Sequence, residues 1–197
     1  MEWIAETSPR LKARIAGILY VLIFIAAPRG ATTATPARLI ITLACDTGVA
    51  LIFYHLLKPV RMRLSLLAAF FRFIFVAVMA ATSLNYFGVV NLFKSAHSAA
   101  AFNTGYGIAM VPFGVHCVLI GYLIFKSAFL PRILGVLMAL AGSGYLIFLW
   151  PSLADHLFFP YLVIAGVAGE GSLTLWLLVM GLNVERWNEQ ADGAVKR

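Results

Sequence analysis

Six apolar runs, separated by short polar turns, organise this chain. They fall at about 11–27, 36–57, 64–87, 104–125, 133–150 and 160–183. Each has the length a helix needs to cross a hydrocarbon core of ~30 Å. The segments between them hold helix-stopping residues: Pro28-Arg29-Gly30, Lys58-Pro59, Lys94-Ser95-Ala96-His97, Leu130-Pro131 and Pro151-Ser152. The pattern predicts an all-α membrane protein, a six-transmembrane-helix bundle in one domain over residues 1–197. Residues 184–197 form a cytoplasmic tail, of which Val184–Gln190 extends the last helix by a turn or two, with Trp187 as an interfacial anchor.

Composition agrees. Of 197 residues 62% are apolar and only 12% charged, about half the charge of a soluble domain. Cys45 and Cys117 both lie inside apolar runs, so no disulfide framework is indicated. The net charge of +7 comes from short clusters between the runs, which excludes a nucleic-acid face and sets topology instead. With both termini inside, eleven basic residues are cytoplasmic: Arg10, Lys12, Arg14, Lys58, Arg61, Arg63, Lys126, Arg132, Arg186, Lys196 and Arg197. Three are outside: Arg29, Arg38 and Lys94. Aromatic residues mark the same two interfaces, with Trp3, Tyr54, Tyr122 and Trp187 inside and Tyr86, Tyr106, Trp150 and Tyr161 outside. A cleavable signal peptide is the rival reading of the first run, with its basic start and Ala26-Ala27.

Counting depth along each run gathers the remaining ionisable residues. Asp46 is ten residues into the second run, and Arg72 is eight residues, about 12 Å, into the third. His116 is twelve residues into the fourth and Glu170 ten into the sixth. These four form the candidate buried polar site near the midplane. A charge there costs roughly 2.5–3.5 kcal/mol even on insertion scales, so such groups face the bundle interior and pair with one another. Asp46 and Arg72 are expected as an ion pair, which leaves Glu170 and His116 as proton-handling partners. Gly166, Gly169, Gly171 and Ser172 leave room beside Glu170, and Pro112 loosens the helix one turn before His116. Gly107, Gly114 and Gly121, seven residues apart, read as close helix packing.

Other chemistries lack support. Cys45-Asp46 and His116-Cys117 are sequence neighbours that point about 100° apart on a helix, and no second buried histidine completes a metal site. His55 lies near the inner surface, and His97 and His156 in outer loops, so two haem-binding histidines do not share a depth. No phosphate-binding glycine loop is present, and Ser172 with His116 does not make a hydrolase. No catalytic residue, metal or cofactor is expected. A weak repeat relates Arg14-Ile-Ala-Gly-Ile-Leu19 to Arg132-Ile-Leu-Gly-Val-Leu137, pointing to three helical hairpins around a shared polar centre.

Several longer motifs resemble an uncharacterised family of bacterial membrane proteins known as domain of unknown function 4386. They include Arg14-Ile-Ala-Gly-Ile-Leu-Tyr20, Asp46-Thr-Gly48, Ala69-Phe-Phe-Arg72, Phe113-Gly-Val-His-Cys117, Leu130-Pro-Arg-Ile-Leu-Gly135 and Glu170-Gly-Ser-Leu-Thr-Leu-Trp176. The first outer loop is shorter here than is usual in that family. The resemblance implies an all-helical integral protein of the bacterial cytoplasmic membrane and assigns no activity. Three functions fit the sequence: a midplane site that binds or transports a small solute or protons, an accessory or scaffold subunit, or an intramembrane enzyme acting on a lipid or quinone. The partners expected are the lipid bilayer and a homo-oligomer or larger membrane complex, with no nucleic acid.

Overall fold

The computed structural model describes residues 8–28, 31–89, 98–150, 152–153, 157 and 163–195. Trp3, Arg29, Lys94, His97, His156, Tyr161, Lys196 and Arg197 lie outside the described residues. The described chain is all-helical. Helix α1 spans Pro9–Ala26, α2 Pro36–Leu57, α3 Met62–Tyr86, α4 Ala99–Lys126 and α5 Arg132–Tyr145. Leu146–Leu149 extends α5 as a 3-10 turn. Helix α6 covers Val163–Val179 with a π turn at Val167–Gly171, and α7 covers Val184–Val195.

Local sequence fixes these starts and stops. Ser8 and Thr35 cap α1 and α2 by accepting from the amides of Leu11 and Arg38, and each cap is followed by a proline that is pre-set for the first helical position. Ser98 caps α4 in the same way through Ala101. At the other end of α1, the Arg38 guanidinium donates to the carbonyls of Ile25, Ala26 and Ala27, satisfying groups that a helix terminus leaves open.

The helices pack as a closed ring in chain order. Each of α1 to α5 lies against the next, α6 lies against α5, and the second half of α6 returns to α1. The expected hairpin partners do touch, but α2–α3 and α4–α5 pack as well, so the arrangement is a ring rather than three separate hairpins. Helices α4 and α5 approach to backbone contact. A Cβ on Gly121 would stand 2.6 Å from the Ala139 amide and the Gly135 carbonyl, and one on Gly114 2.9 Å from the Gly142 carbonyl. The seven-residue glycine spacing therefore serves backbone-to-backbone packing, as the sequence indicates.

Polarity is inverted relative to a soluble protein. Arg72, Asp46, His116 and Glu170 are buried, while Ile18, Ile25, Ile40, Leu66, Phe70, Ile133 and Leu140 face outward. Among the described residues four helices are long and apolar enough to cross a membrane: Pro36–Leu57, Met62–Tyr86, Ala99–Lys126 and Arg132–Leu149. A fifth follows if Val163–Val179 and Val184–Ala194, bent by 105°, count as one span. Helix α1 has an apolar body behind three basic residues, Arg10, Lys12 and Arg14.

The tail departs from expectation. It does not continue the last helix, because the chain turns at Gly181, whose φ of +67° is readily adopted only by glycine. Helix α7 then lies across the ends of its neighbours. The Trp187 indole donates to the Leu56 carbonyl at 2.9 Å, and Gln190 accepts from the Ala128 amide at 3.0 Å.

The packing leads to a direct prediction. Gly121→Ala should destabilise the protein by about 1–3 kcal/mol, because the neighbouring atoms are backbone and cannot yield. Gly193→Ala, with nothing within 4 Å of the new methyl, should be neutral or slightly stabilising. Thermal unfolding in detergent reads both, and equal melting temperatures for the two variants would contradict the packing.

Candidate functional site

The ring turns one polar side chain inward from each of its six helices: Tyr20 of α1, Asp46 of α2, Arg72 of α3, His116 of α4, Tyr145 of α5 and Glu170 of α6. Arg72 is fully buried and organises the first four. Its Nε donates to Asp46 Oδ1 at 3.0 Å, and Nη2 donates to the same oxygen. Its Nη1 donates to the Tyr20 hydroxyl and to His116 Nε2, both at 3.0 Å. The ion pair expected between Asp46 and Arg72 is present. The guanidinium carbon also lies 5.2 Å from the ring centres of Tyr20 and Phe113, where the π faces attract a cation.

These contacts define the state of His116. A guanidinium only donates, so Nε2 must accept. The Ala68 carbonyl only accepts, so Nδ1, 2.8 Å away, must carry the hydrogen. His116 is thus a neutral imidazole with both nitrogens engaged. The expected pairing of His116 with Glu170 is therefore corrected: the histidine belongs to the arginine network. Depth gives the level of a residue but not the direction in which its side chain points. Helix α4 also runs unbroken through Pro112.

Glu170 has a different partner. Its Oε1 accepts from the Tyr145 hydroxyl at 2.6 Å, and among the described residues it forms no ion pair. It sits in the π turn of α6, a local widening that recurs at functional sites. The hydroxyl of Ser172 donates to the Gly169 carbonyl and that of Thr174 to the Glu170 carbonyl, satisfying backbone oxygens there. The surrounding glycines do not simply leave open room beside the acid. A Cβ on Gly166 would collide with the Tyr145 hydroxyl, and one on Gly169 would lie 2.8 Å from the Leu137 carbonyl. Gly166 admits the tyrosine that binds Glu170, and Gly169 lets α6 close on α5.

Tyr20 and Tyr145 are two polar partners that a count of buried charges does not single out, since tyrosine in a membrane helix is ordinarily an interfacial residue. Depth is a signal for Tyr20, nine residues into its run, but not for Tyr145, which lies five residues from the end of its own. Among the described residues no three His, Cys, Asp or Glu side chains come together as a metal site. Asp46 Oδ2 is buried without a hydrogen-bond partner among the described residues.

Fold and centre define a class: an all-helical protein of membrane type built around a buried polar centre. Residues 30–181 match the family described as Domain of unknown function (DUF4386), and the chain belongs to that family. The match contains five of the six inward-facing polar residues and begins after Tyr20. A protein of Archaeoglobus fulgidus that carries the name Uncharacterized protein is 32% identical over 141 residues, 69% of this chain and 76% of that one. No solved structure matches the chain.

The arginine network has a testable consequence. Arg72→Leu leaves Asp46 as a buried unpaired charge and should cost roughly 3–5 kcal/mol. Adding Asp46→Asn to the same chain should recover a large part of that loss in thermal unfolding. Additive losses from the two substitutions would contradict a coupled pair.

Proposed function

We propose that the protein is a six-span integral membrane protein, with both termini cytoplasmic, that binds and carries a small solute at a protonatable midplane site. Glu170 is the group that gains and loses a proton, Tyr145 orients it, and the network of Tyr20, Asp46, Arg72 and His116 is a fixed frame. The sixth span in this reading is α1, whose basic residues lie at the cytoplasmic surface ahead of an apolar body. Positive-inside bias supports the orientation.

The observation that carries the reading is the contrast between the two halves of the centre. Arg72 and His116 are held by hydrogen bonds from several helices, whereas among the described residues Glu170 has one hydroxyl partner and sits on a π turn. A carboxyl whose one described partner is neutral is not locked as a carboxylate, so it can lose its proton when a compensating charge arrives and regain it when that charge leaves. Carriers place such groups near midplane on interrupted helices. The small size of the bundle favours work as a homo-oligomer.

Native mass spectrometry of protein purified from its own membrane tests this. Wild type should retain a small solute that Glu170→Gln loses, with the two proteins melting within a few degrees of each other. If the substitution removes only a co-purifying protein chain, the accessory-subunit reading replaces this one.

A further inference from the structure

Granting a protonatable solute site at Glu170, we infer that its solute is a small protonated amine, taken up in exchange for the Glu170 proton. Three observations on the polar centre point to this class.

The first is charge. The ionisable groups around Glu170 are Asp46, Arg72, His116 and Cys117, with the phenols of Tyr20, Tyr106 and Tyr145. Asp46 and Arg72 form an ion pair, and His116 is neutral by its hydrogen-bond roles. The phenols and the thiol are neutral acids. Among the described residues, ionised Glu170 therefore leaves the centre with one uncompensated negative charge. In a medium where a lone charge is costly, one monovalent cation must accompany it. A proton fills that role at rest, and a solute that displaces the proton has to bring a positive charge of its own.

The second is the shortage of donors. Arg72 is the one buried guanidinium described here, and four of its five N–H groups are already used, on Asp46 twice and on Tyr20 and His116 once each. An anion would find no free arginine fork to dock on. The unmet capacity is of the opposite kind. Asp46 Oδ2 is a buried carboxylate oxygen without a partner among the described residues, an acceptor in need of an N–H or O–H. An ammonium group supplies both a unit charge and several donors.

The third is the lining. Tyr145, which donates to the carboxyl, has its ring 5.3 Å from that of Phe113, and Tyr106 packs edge-on to Phe148, so α4 and the end of α5 share an aromatic wall that reaches the carboxyl through Tyr145. Tyr106, Tyr145 and Phe148 keep partial exposure. Ring faces attract an organic ammonium and accept its alkyl part, while a bare metal ion needs a shell of oxygens instead.

The exchange balances. The protonated Glu170 carboxyl and the incoming alkylammonium give a carboxylate–ammonium pair, and one proton leaves to solvent. No covalent bond between protein and solute forms, and no electron moves.

Titration calorimetry of the full chain in detergent, with methylammonium chloride in two buffers of different ionisation enthalpy, tests the inference. Wild type should bind saturably and release close to one proton per chain while Glu170 is protonated, and the release should fall toward zero as rising pH ionises it beforehand. Glu170→Gln should weaken binding at least about tenfold, the share of a charge-assisted hydrogen bond. Glu170→Asp, which keeps a carboxyl, should retain proton release and so covers a Gln variant that fails to fold. Sodium acetate should give no saturable heat. Equal binding by wild type and Glu170→Gln, saturable binding of acetate, or amine binding without proton release at every pH would overturn the inference. If methylammonium gives no heat while wild type still retains a different solute that Glu170→Gln loses, the amine falls and the protonatable solute site stands. Loss of both removes the site itself.

Discussion

Everything else in this fold depends on burying one guanidinium. Arg72 is fully enclosed in the bundle, where an unpaired charge could not be tolerated. It is stabilised by partners from three other helices: the Asp46 carboxylate, the Tyr20 hydroxyl and the His116 nitrogen. Because the guanidinium fork is planar and rigid, those partners must arrive from fixed directions. That requirement orients α1, α2 and α4 around α3, and it also sets the tautomer of His116. Removing any one helix would leave a charge or a polar group exposed to the apolar interior.

The glycines extend this order to the other half of the ring. Gly114, Gly121, Gly135 and Gly142 bring α4 and α5 to backbone contact, which places Tyr145 on the inner wall. Gly169 then draws α6 against α5, and Gly166 makes space for the Tyr145 hydroxyl. The result is a centre in two parts. One is a network of charge-assisted hydrogen bonds that crosses four helices, and the other is an acid held, among the described residues, by a single hydroxyl on an irregular helix turn. Such a division suits a site whose electrostatic frame stays constant while one group changes state.

Much of this was legible in the sequence, for identifiable reasons. Apolar run length depends on membrane thickness, so the runs at 36–57 and 64–87 agree with α2 and α3 to within two residues. Depth counting worked because rise per residue is constant, and it brought Asp46 to Arg72. It failed for His116 because level says nothing about azimuth, and the histidine faces Arg72 rather than Glu170. Tyr20 and Tyr145 escaped because an aromatic ring with a hydroxyl costs little in an apolar run and raises no alarm in a charge count. The bend before α7 escaped for a different reason: Gly181 sits in an otherwise continuous apolar-to-amphipathic pattern, and only its backbone angle shows the turn.

The central claim is that Glu170 changes protonation while the Asp46–Arg72 pair does not. Carboxyl carbon chemical shifts of labelled Glu and Asp, followed by solid-state NMR in lipid across pH, separate the two most directly. The account predicts that the Glu170 signal moves through a single titration while the Asp46 signal stays that of a carboxylate throughout. An Asp46 signal that titrates while Glu170 remains fixed would contradict it.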